Sequence, residues 1–242
     1  MSRRVTYFNS SFTTAFHPLD LAGSQLYYAK NTATPSLWND QSPNAFDLTQ
    51  TVAAQQPTIG TDTVDFDGVN DFMNRSVVNP FISDNLGTIY FSVNFVAGEV
   101  QRTIIINDPT FTSSRNSFQI IILPTGVIRV LLANSSDTIR NIFDTINILS
   151  VGYNYIKLTT NGSSYTVEIN GVSTSLSFST GTNNGAWLND INTTNIRMAL
   201  NETVTTFLYG KNKTNKIYYN NTSLSPTNLT KLNTFFADPN KY

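Results

Sequence analysis

Two Asn-Gly pairs constrain this chain more than any other feature of its sequence. Asn161-Gly162 and Asn170-Gly171 separate three runs in which apolar and polar residues alternate. Both residues of an Asn-Gly pair can adopt positive φ, so such a pair between alternating runs is the strongest local signal for a β-hairpin. The sequence therefore predicts a three-stranded antiparallel sheet. Its strands are predicted at residues 153–160, 164–169 and 172–178.

Other apolar patterns predict most of the remaining strands. Residues 88–96 alternate cleanly between an apolar and a polar face. Continuous apolar runs at 104–106 and 120–123 are too short for buried helices, and they indicate strands buried on both faces. Pro124-Thr125-Gly126 predicts a hairpin into residues 127–132. Further strands are predicted at 21–29, 195–200, 205–209 and 216–219. The predicted core comprises Ile89, Phe91, Val93, Phe95, Ile121, Leu123, Val167 and Ile169.

One helix is predicted, near the end of the sequence. Ser225 is a favourable N-cap and Pro226 occupies the first helical position. Leu229, Leu232 and Phe236 follow at spacings that place them on one helix face. The sequence thus predicts an all-β protein with a short C-terminal helix packed on it.

The composition excludes several classes of protein. The chain has 242 residues and no cysteine, so a disulfide scaffold and thiol catalysis are ruled out. Charged residues make up only 13% and the net charge is −1, without the basic stripe expected of a nucleic-acid-binding protein. The N-terminus has no apolar run typical of a secretory signal, and no apolar window approaches the ~18 residues of a membrane-spanning helix. We therefore expect neither nucleic-acid binding nor membrane insertion.

An acidic turn is predicted within residues 63–72. Val64 and Phe66 alternate with aspartates, as in a half-buried strand, and the pattern then breaks at a glycine. The oxygens of Asp67, Asn70 and Asp71 make this turn a candidate calcium site, because hard cations bind carboxylate and amide oxygens. The alternative is that these side chains accept hydrogen bonds from their own backbone and hold the turn. No other cofactor is expected.

The order of several short motifs resembles a known superfamily. The motifs are Phe16-His17-Pro18-Leu19-Asp20-Leu21, Trp38-x-Asp40-x-Ser42, Asp47-Leu48-Thr49-Gln50, Phe66-Asp67-Gly68-Val69-Asn70-Asp71 and Ile217-Tyr218-Tyr219-Asn220. Together they resemble the concanavalin A-like lectin/glucanase superfamily in its laminin-G-like form, which is common in bacterial surface proteins and bacteriophage structural proteins. The resemblance implies a two-sheet antiparallel jelly-roll sandwich.

The sequence departs from this superfamily's pattern at two places. Pro43 stands where a glycine usually follows the Trp-x-Asp-x-Ser turn. Asn215 and Lys216 occupy the neighbourhood in which an acidic residue usually precedes the last strand. Because such folds support lectins, hydrolases and structural modules alike, the resemblance does not fix a function.

The carboxylates argue against the hydrolase branch of the superfamily. The three glutamates are Glu99, Glu168 and Glu202, and none has a second carboxylate two or four residues later. A retaining glycosidase needs two carboxyl groups about 5–5.5 Å apart. The only histidine, His17, lies beside a proline with no serine or cysteine nucleophile motif near it. We therefore expect a protein that is not an enzyme.

The segment around Trp187 is a candidate glycan site. An aromatic ring beside amides and a carboxylate offers a stacking surface and hydrogen bonds to a sugar, which makes Trp187, Asn184 and Asp190 the predicted ligand-binding residues. The alternative is that Trp187 and Leu188 turn inward and close one end of the sandwich. With little net charge to attract polyanions, the expected ligand is a neutral or weakly charged glycan.

The domain organisation and biological role follow as expectations. Residues 1–17 are predicted to form an N-terminal arm and residues 18–242 one sandwich domain. Phe8, Phe12 and Phe16 recur every four residues, which suggests an arm that contacts a second copy or another virion protein; a terminal strand is the alternative. The expected role is a virion structural or adhesive protein, such as a phage head-fibre, decoration or tail-associated subunit binding host-surface glycans. The alternatives are a free-standing lectin, at a bacterial surface or extracellular, and a glycoside hydrolase.

Overall fold

The computed structural model describes residues 16–76, 81, 83–107, 116–191, 195–198, 200–203, 206–209 and 211–242. Nineteen strands dominate these residues: β1 Ser24–Thr34, β2 Leu37–Asp40, β3 Leu48–Thr49, β4 Thr58–Ile59, β5 Val64–Asp67, β6 Met73–Ser76, β7 Gly87–Phe95, β8 Gln101–Asn107, β9 Ser117–Ile122, β10 Ile128–Ala133, β11 Arg140–Thr145, β12 Gly152–Thr160, β13 Tyr165–Ile169, β14 Val172–Thr174, β15 Leu176–Thr180, β16 Asn195–Met198, β17 Leu200–Thr203, β18 Thr206–Tyr209 and β19 Lys211–Asn220. The helices are α1 Pro226–Ala237 and three 3₁₀ turns, Pro18–Asp20, Ala53–Gln55 and Leu188–Asp190.

Two antiparallel layers form the predicted sandwich. Layer A has the strand order β14-β13-β12-β7-β19-β1, and layer B the order β3-β6-β16-β8-β9-β10-β11-β15. Strand β2 pairs with both β1 and β3 and so joins the layers at one edge, while β4 and β5 extend from the first half of β19. The all-β sandwich with a C-terminal helix is confirmed.

The main core lies between the two layers. Strand β7 contributes Ile89, Phe91, Val93 and Phe95 to this core, as its alternation predicts. Val167 and Ile169 of β13 are buried there too. The prediction for β9 was wrong by one position. The buried apolar residues of that strand are Phe118, Ile120 and Ile122, whereas Ile121 and Leu123 are only half-buried. Successive side chains of a strand lie on opposite faces of the sheet. A continuous apolar run therefore does not show which of the two faces is buried.

A second core lies on the outer face of layer A, beneath α1. Ser225 caps this helix by accepting a hydrogen bond from the backbone of Asn228 at 3.3 Å. Leu232 and Phe236 are buried as predicted, and Phe235 joins them. The residues of this second core are Tyr27, Ala29, Tyr90, Tyr155, Tyr218, Leu232, Phe235 and Phe236. The helix therefore converts the outer face of layer A into buried surface.

Lys216 of β19 is fully buried under the end of α1. Its ammonium donates to the backbone carbonyls of Phe235, Asp238 and Lys241 at 3.1, 2.6 and 2.7 Å. It also lies 4.8 Å from the ring centroid of Phe235 and 5.8 Å from that of Tyr242. The last carbonyls of a helix lack partners within the helix. Lys216 donates from the sheet below to one of these carbonyls, that of Phe235, and to two carbonyls that follow the helix.

Of the predicted arm at residues 1–17, the structure describes Phe16 and His17. Residues 1–15, including Phe8 and Phe12, lie outside the described residues. Phe16 packs edge-on against Phe235 with ring centroids 6.3 Å apart, and His17 packs against Tyr27 at 5.1 Å. The His17 side chain also accepts a hydrogen bond from Leu19 and so caps the first 3₁₀ turn. The sole histidine of the chain therefore caps a turn and packs against an aromatic ring.

The two Asn-Gly turns differ from each other. Asn170 and Gly171 have φ of 52° and 80° and join β13 to β14 in the expected two-residue turn. At Asn161-Gly162 the connection has four residues, and the Asn161 side chain accepts hydrogen bonds from the backbone of Ser163 and Ser164. Strands β12, β13 and β14 form the predicted three-stranded sheet.

The strand predicted at 172–178 divides at Ser175. Its first part, β14, pairs with β13 in layer A. Its second part, β15, pairs with β11 in layer B. Sequence alternation continues through the break and does not reveal it. The chain therefore crosses between the layers at Ser175, at the edge of the sandwich opposite β2.

Candidate functional site

The structure places Trp187 in the main core and not on the surface. Its side chain is fully buried, and its ring packs edge-on against Phe118 with centroids 5.3 Å apart. The indole N–H donates to the Tyr219 hydroxyl at 3.3 Å, and that hydroxyl donates to Asp84 at 2.8 Å. The ring thus has no free face for a sugar, and the stacking role proposed from the sequence is wrong for this structure. Trp187 and the buried Leu188 instead close the end of the sandwich, as in the alternative reading.

The other two predicted glycan ligands hold the loop that follows β15. The Asn184 side-chain oxygen accepts from Asn141 at 2.7 Å and from the backbone of Ala186 at 3.1 Å. Asp190 accepts from the backbone of Trp187 at 2.8 Å. Both residues lie near the buried indole in the chain, but these hydrogen bonds are internal to the protein. Their observed role is to fix the loop.

A groove of about 450 Å³ lies beside this loop, where β14 crosses to β15. We call it the edge groove. Its walls come from β13 and β14 of layer A, β15 of layer B and the loop after β15. The lining residues are Tyr165, Thr166, Val167, Ser173, Thr174, Ser175, Leu176, Phe178 and Asn183. None of these side chains is charged at neutral pH. The groove combines hydroxyl and amide groups with an apolar floor.

Hydrogen bonds fix the end of the edge groove. The Asn183 amide accepts from the Tyr165 backbone N–H at 2.5 Å and donates to the Tyr165 carbonyl at 3.3 Å. The Asn183 side chain thus makes the two backbone hydrogen bonds with Tyr165 that a neighbouring strand would otherwise make. The Tyr165 hydroxyl accepts from Asn141 at 3.1 Å and donates to the Ala186 carbonyl. Burial raises the pKa of Tyr165 above its ordinary value, so the hydroxyl stays protonated. The wall of the groove is therefore held before any ligand arrives.

The floor is aromatic and the rim carries free hydroxyls. Phe178 is half-buried and packs against Phe143 at 4.9 Å between centroids. Within the described part of the chain, the side-chain hydroxyls of Thr166, Ser173 and Ser175 have no hydrogen-bond partner. Each can donate one hydrogen bond and accept others. These residues could not be predicted as one site because the groove combines strands from both layers. The alternating serines of residues 173–179 were the only local signal for them.

The acidic turn is held by its own carboxylates. Asp67 accepts hydrogen bonds from the backbone of Val69, Asn70 and Asp71 at 2.8, 3.2 and 3.3 Å. Asp71 in turn accepts from the backbone of Asp67 at 3.1 Å. Burial alone would raise the pKa of Asp67, but these backbone donors hold it below its ordinary value. Burial raises the pKa of Asp71. The arrangement matches the alternative in which the aspartates stabilise the turn.

We expect replacement of Asp67 by alanine to lower the free energy of unfolding by about 1 kcal/mol, the usual cost of losing a side-chain cap. Asp67→Asn retains a side-chain oxygen that can accept the same backbone donors and serves as the control. Urea unfolding of the two variants at neutral pH measures the difference. Equal stability of both variants would show that the accepting oxygen does not hold the turn.

A second, acidic cleft of about 490 Å³ lies beside this turn. Asp65, Asp67, Asp71 and Glu99 line it, and Lys213 lies 3.5 Å from the Asp65 carboxylate. Glu99 is far from the aspartates in sequence, so residue spacing could not place it here. The described residues include no group of three or more histidine or acidic side chains arranged to hold a metal ion. Calcium binding through Asp67, Asn70 and Asp71 stays a proposal.

Searches against known proteins add information on the fold. No protein-family model matches the chain, and no curated protein sequence matches it. Solved structures do match. The CBM40 of the Ruminococcus gnavus IT-sialidase, bound to α2,3-sialyllactose, aligns with a TM-score of 0.51 and 15% identity over 65% of this chain and 83% of that one.

Two sialidases align over a smaller share of their own length. A mutant of the NanB sialidase from Streptococcus pneumoniae gives a TM-score of 0.52 and 13% identity over 65% of this chain and 26% of that one. The Trypanosoma rangeli sialidase gives a TM-score of 0.60 and 10% identity over 89% of this chain and 33% of that one. No helix among the described residues is long and apolar enough to span a membrane. At these identities the similarity concerns the fold alone, and that fold is a lectin-like β-sandwich.

Proposed function

We propose that this protein is a non-enzymatic glycan-binding module and that the edge groove is its binding site. The observation that carries the proposal is the pairing of a half-buried aromatic floor with three unpartnered hydroxyls on a fixed rim. Sugars present a C–H face that packs on apolar rings and hydroxyls that both donate and accept hydrogen bonds. The sandwich neighbours support the proposal, since one of them is a carbohydrate-binding module with a sialyllactose bound.

Binding at one groove is weak in this proposal. A shallow site on one face of a small sugar corresponds to roughly millimolar affinity, about −4 kcal/mol. Several copies on one assembly would raise the overall affinity by about 10²–10⁴-fold without new contacts. A multivalent setting therefore suits the site better than a lone subunit.

A virion is the multivalent setting that we propose, with this chain as an adhesive or structural subunit of the concanavalin A-like kind. Support comes from the charge-poor sequence, in which only 13% of residues are charged. It also comes from the phenylalanine-rich arm, since Phe16 already packs on α1. Antibody labelling of purified virions tests this location. Virions that lack the protein would refute the proposed location.

We expect Thr166→Ala to weaken glycan binding by about 2- to 10-fold, the usual worth of one neutral hydrogen bond. Thr166 is exposed and makes no internal side-chain hydrogen bond among the described residues, so the fold should be unaffected. The measurement is binding of a multimeric form to a glycan array, followed by titration of the best glycan. Thr227→Ala, at an exposed position on α1, is the matched control. Equal binding by both variants would place the site elsewhere.

A further inference from the structure

We infer that the edge groove selects uncharged glycans and discriminates against sialylated and other anionic ones. This inference rests on the proposed function and specifies its ligand class. The inferred ligand class differs from the ligand bound to the Ruminococcus module, which is a sialyllactose. Three properties of the groove favour uncharged ligands: the absence of charge in its lining, its hydrogen-bonding groups and the pairing of the nearby cations with carboxylates.

The groove offers no counter-charge to an anion. Its nine lining residues are hydroxyl, amide, aromatic or aliphatic, and none is basic. Proteins usually recognise a carboxylate with an arginine or lysine, and bidentate arginine pairs are the strongest of these contacts. A sialic acid carboxylate brought into this groove would lose water without gaining a cation, which is unfavourable.

The cations on neighbouring strands are already paired with carboxylates. On β12, Lys157 contacts Glu168 at 2.5 Å. On β10, Arg129 contacts Asp144 through two hydrogen bonds of 2.8 Å. Arg140, at the start of β11, lies 3.4 Å from Asp137. Strands β11 and β12 pair with the groove strands β15 and β13, so Arg140 and Lys157 are the basic residues on the strands that adjoin the groove, and Arg129 is one strand farther away.

The free groups of the rim suit neutral sugar hydroxyls. Thr166, Ser173 and Ser175 can each act as donor or acceptor, as a sugar hydroxyl can. Thr174 differs, because its hydroxyl accepts from the Asn147 backbone at 2.9 Å and donates to the Ser175 carbonyl at 3.2 Å. The rim therefore presents three adaptable hydroxyls, and Phe178 and Leu176 below them provide apolar surface for a sugar ring.

Matched glycan pairs test the inference. Each neutral oligosaccharide is printed on one array with its sialylated form, lactose beside sialyllactose among them, and probed with the multimeric protein at 0.15 M salt. We expect at least about tenfold stronger binding to the neutral member of the pairs that bind. Stronger binding to the sialylated members would overturn this inference and leave glycan binding intact. Binding to no glycan would overturn the proposed function, and the inference with it.

A charge variant links the selectivity to the groove. Ser173→Lys places a cation on the rim, and we expect it to reduce the preference for neutral glycans by at least about threefold. Ser223→Lys makes the same change in net charge at an exposed position outside the groove. That control should keep the preference of the unmodified protein. Equal shifts in both variants would show that total charge, and not the groove, sets the selectivity, which would refute the inference.

Discussion

Replacement of Trp187 by alanine is expected to destabilise the protein by about 3–5 kcal/mol, the usual cost of removing a large aromatic side chain from a core. The ring is fully buried, packs on Phe118 and lies 6.5 Å from the Tyr219 ring between centroids. Its loss leaves a cavity at the end of the sandwich and removes a donor to Tyr219. Urea unfolding followed by far-ultraviolet circular dichroism measures the change.

A second substitution at this position separates volume from hydrogen bonding. Trp187→Phe keeps most of the ring volume and loses the N–H donor, so a smaller loss of about 1–2 kcal/mol is expected. If the free energy of unfolding of Trp187→Ala lay within about 1 kcal/mol of that of the unmodified protein, the result would contradict the buried position of the ring. Loss of glycan binding in Trp187→Ala would not identify a binding residue, since the groove depends on the folded sandwich.

Replacement of Lys216 by methionine is the second large effect that we expect, about 3 kcal/mol of lost stability. Three carbonyl groups, of Phe235, Asp238 and Lys241, would lose their donor, and a buried polar group without a partner costs about 1–3 kcal/mol. Part of this lost stability is recovered because the variant no longer pays the desolvation cost of a buried ammonium group. Hydrogen exchange should also show faster opening of residues 236–242. Lys241→Met, at an exposed side chain, is the control and should change little.

The same lysine gives the stability a defined pH dependence. Burial lowers the pKa of Lys216 to about 7, with Asp238 opposing this shift. In the unfolded chain a lysine keeps a pKa of about 10.4. Between pH 7 and about 10.4 the unfolded state holds a proton that the folded state has released, so the contribution of Lys216 to the free energy of unfolding rises with pH.

This pH dependence is measured by urea unfolding at pH 6, 8 and 10. Below pH 7 both states carry the proton and the contribution of Lys216 becomes constant. Lys216→Met should lack the rise that Lys241→Met retains. Parallel pH profiles for the two variants would show that other groups cause it.

Local sequence signals predicted the elements of this fold well. The Asn170-Gly171 turn, the β7 alternation and the Ser225 cap each depend on a few adjacent residues, and each is observed. The burial of Ile121 was predicted wrongly because a run of four apolar residues contains no information on which face is inside.

The edge groove was harder to predict because it depends on contacts between the two layers. The crossing at Ser175 has no signal of its own, since alternation continues across it. Trp187 was predicted as a glycan-binding residue, with an inward position as the alternative, because polar residues surround it in sequence. The partners that bury it, Phe118 and Tyr219, are distant along the chain. Asn183, which precedes Trp187 in the same loop, does line the groove. The edge groove thus adjoins the loop that contains Trp187, whereas the Trp187 ring itself is buried in the core.

The position of β19 has a consequence for how the chain can be made. This strand pairs with β1, β5 and β7, so Tyr28 and Ile217 are neighbours in layer A although nearly the whole described chain separates them. Such distant pairing makes folding slow, because long segments must close before contacts form. Until residues 211–220 leave the ribosome, β1 and β7 expose unpaired edges and apolar faces that favour aggregation. Translation that stops before residue 211 would leave a fragment without the strand that lies between β1 and β7, so productive folding requires that residues 211–220 have been synthesised.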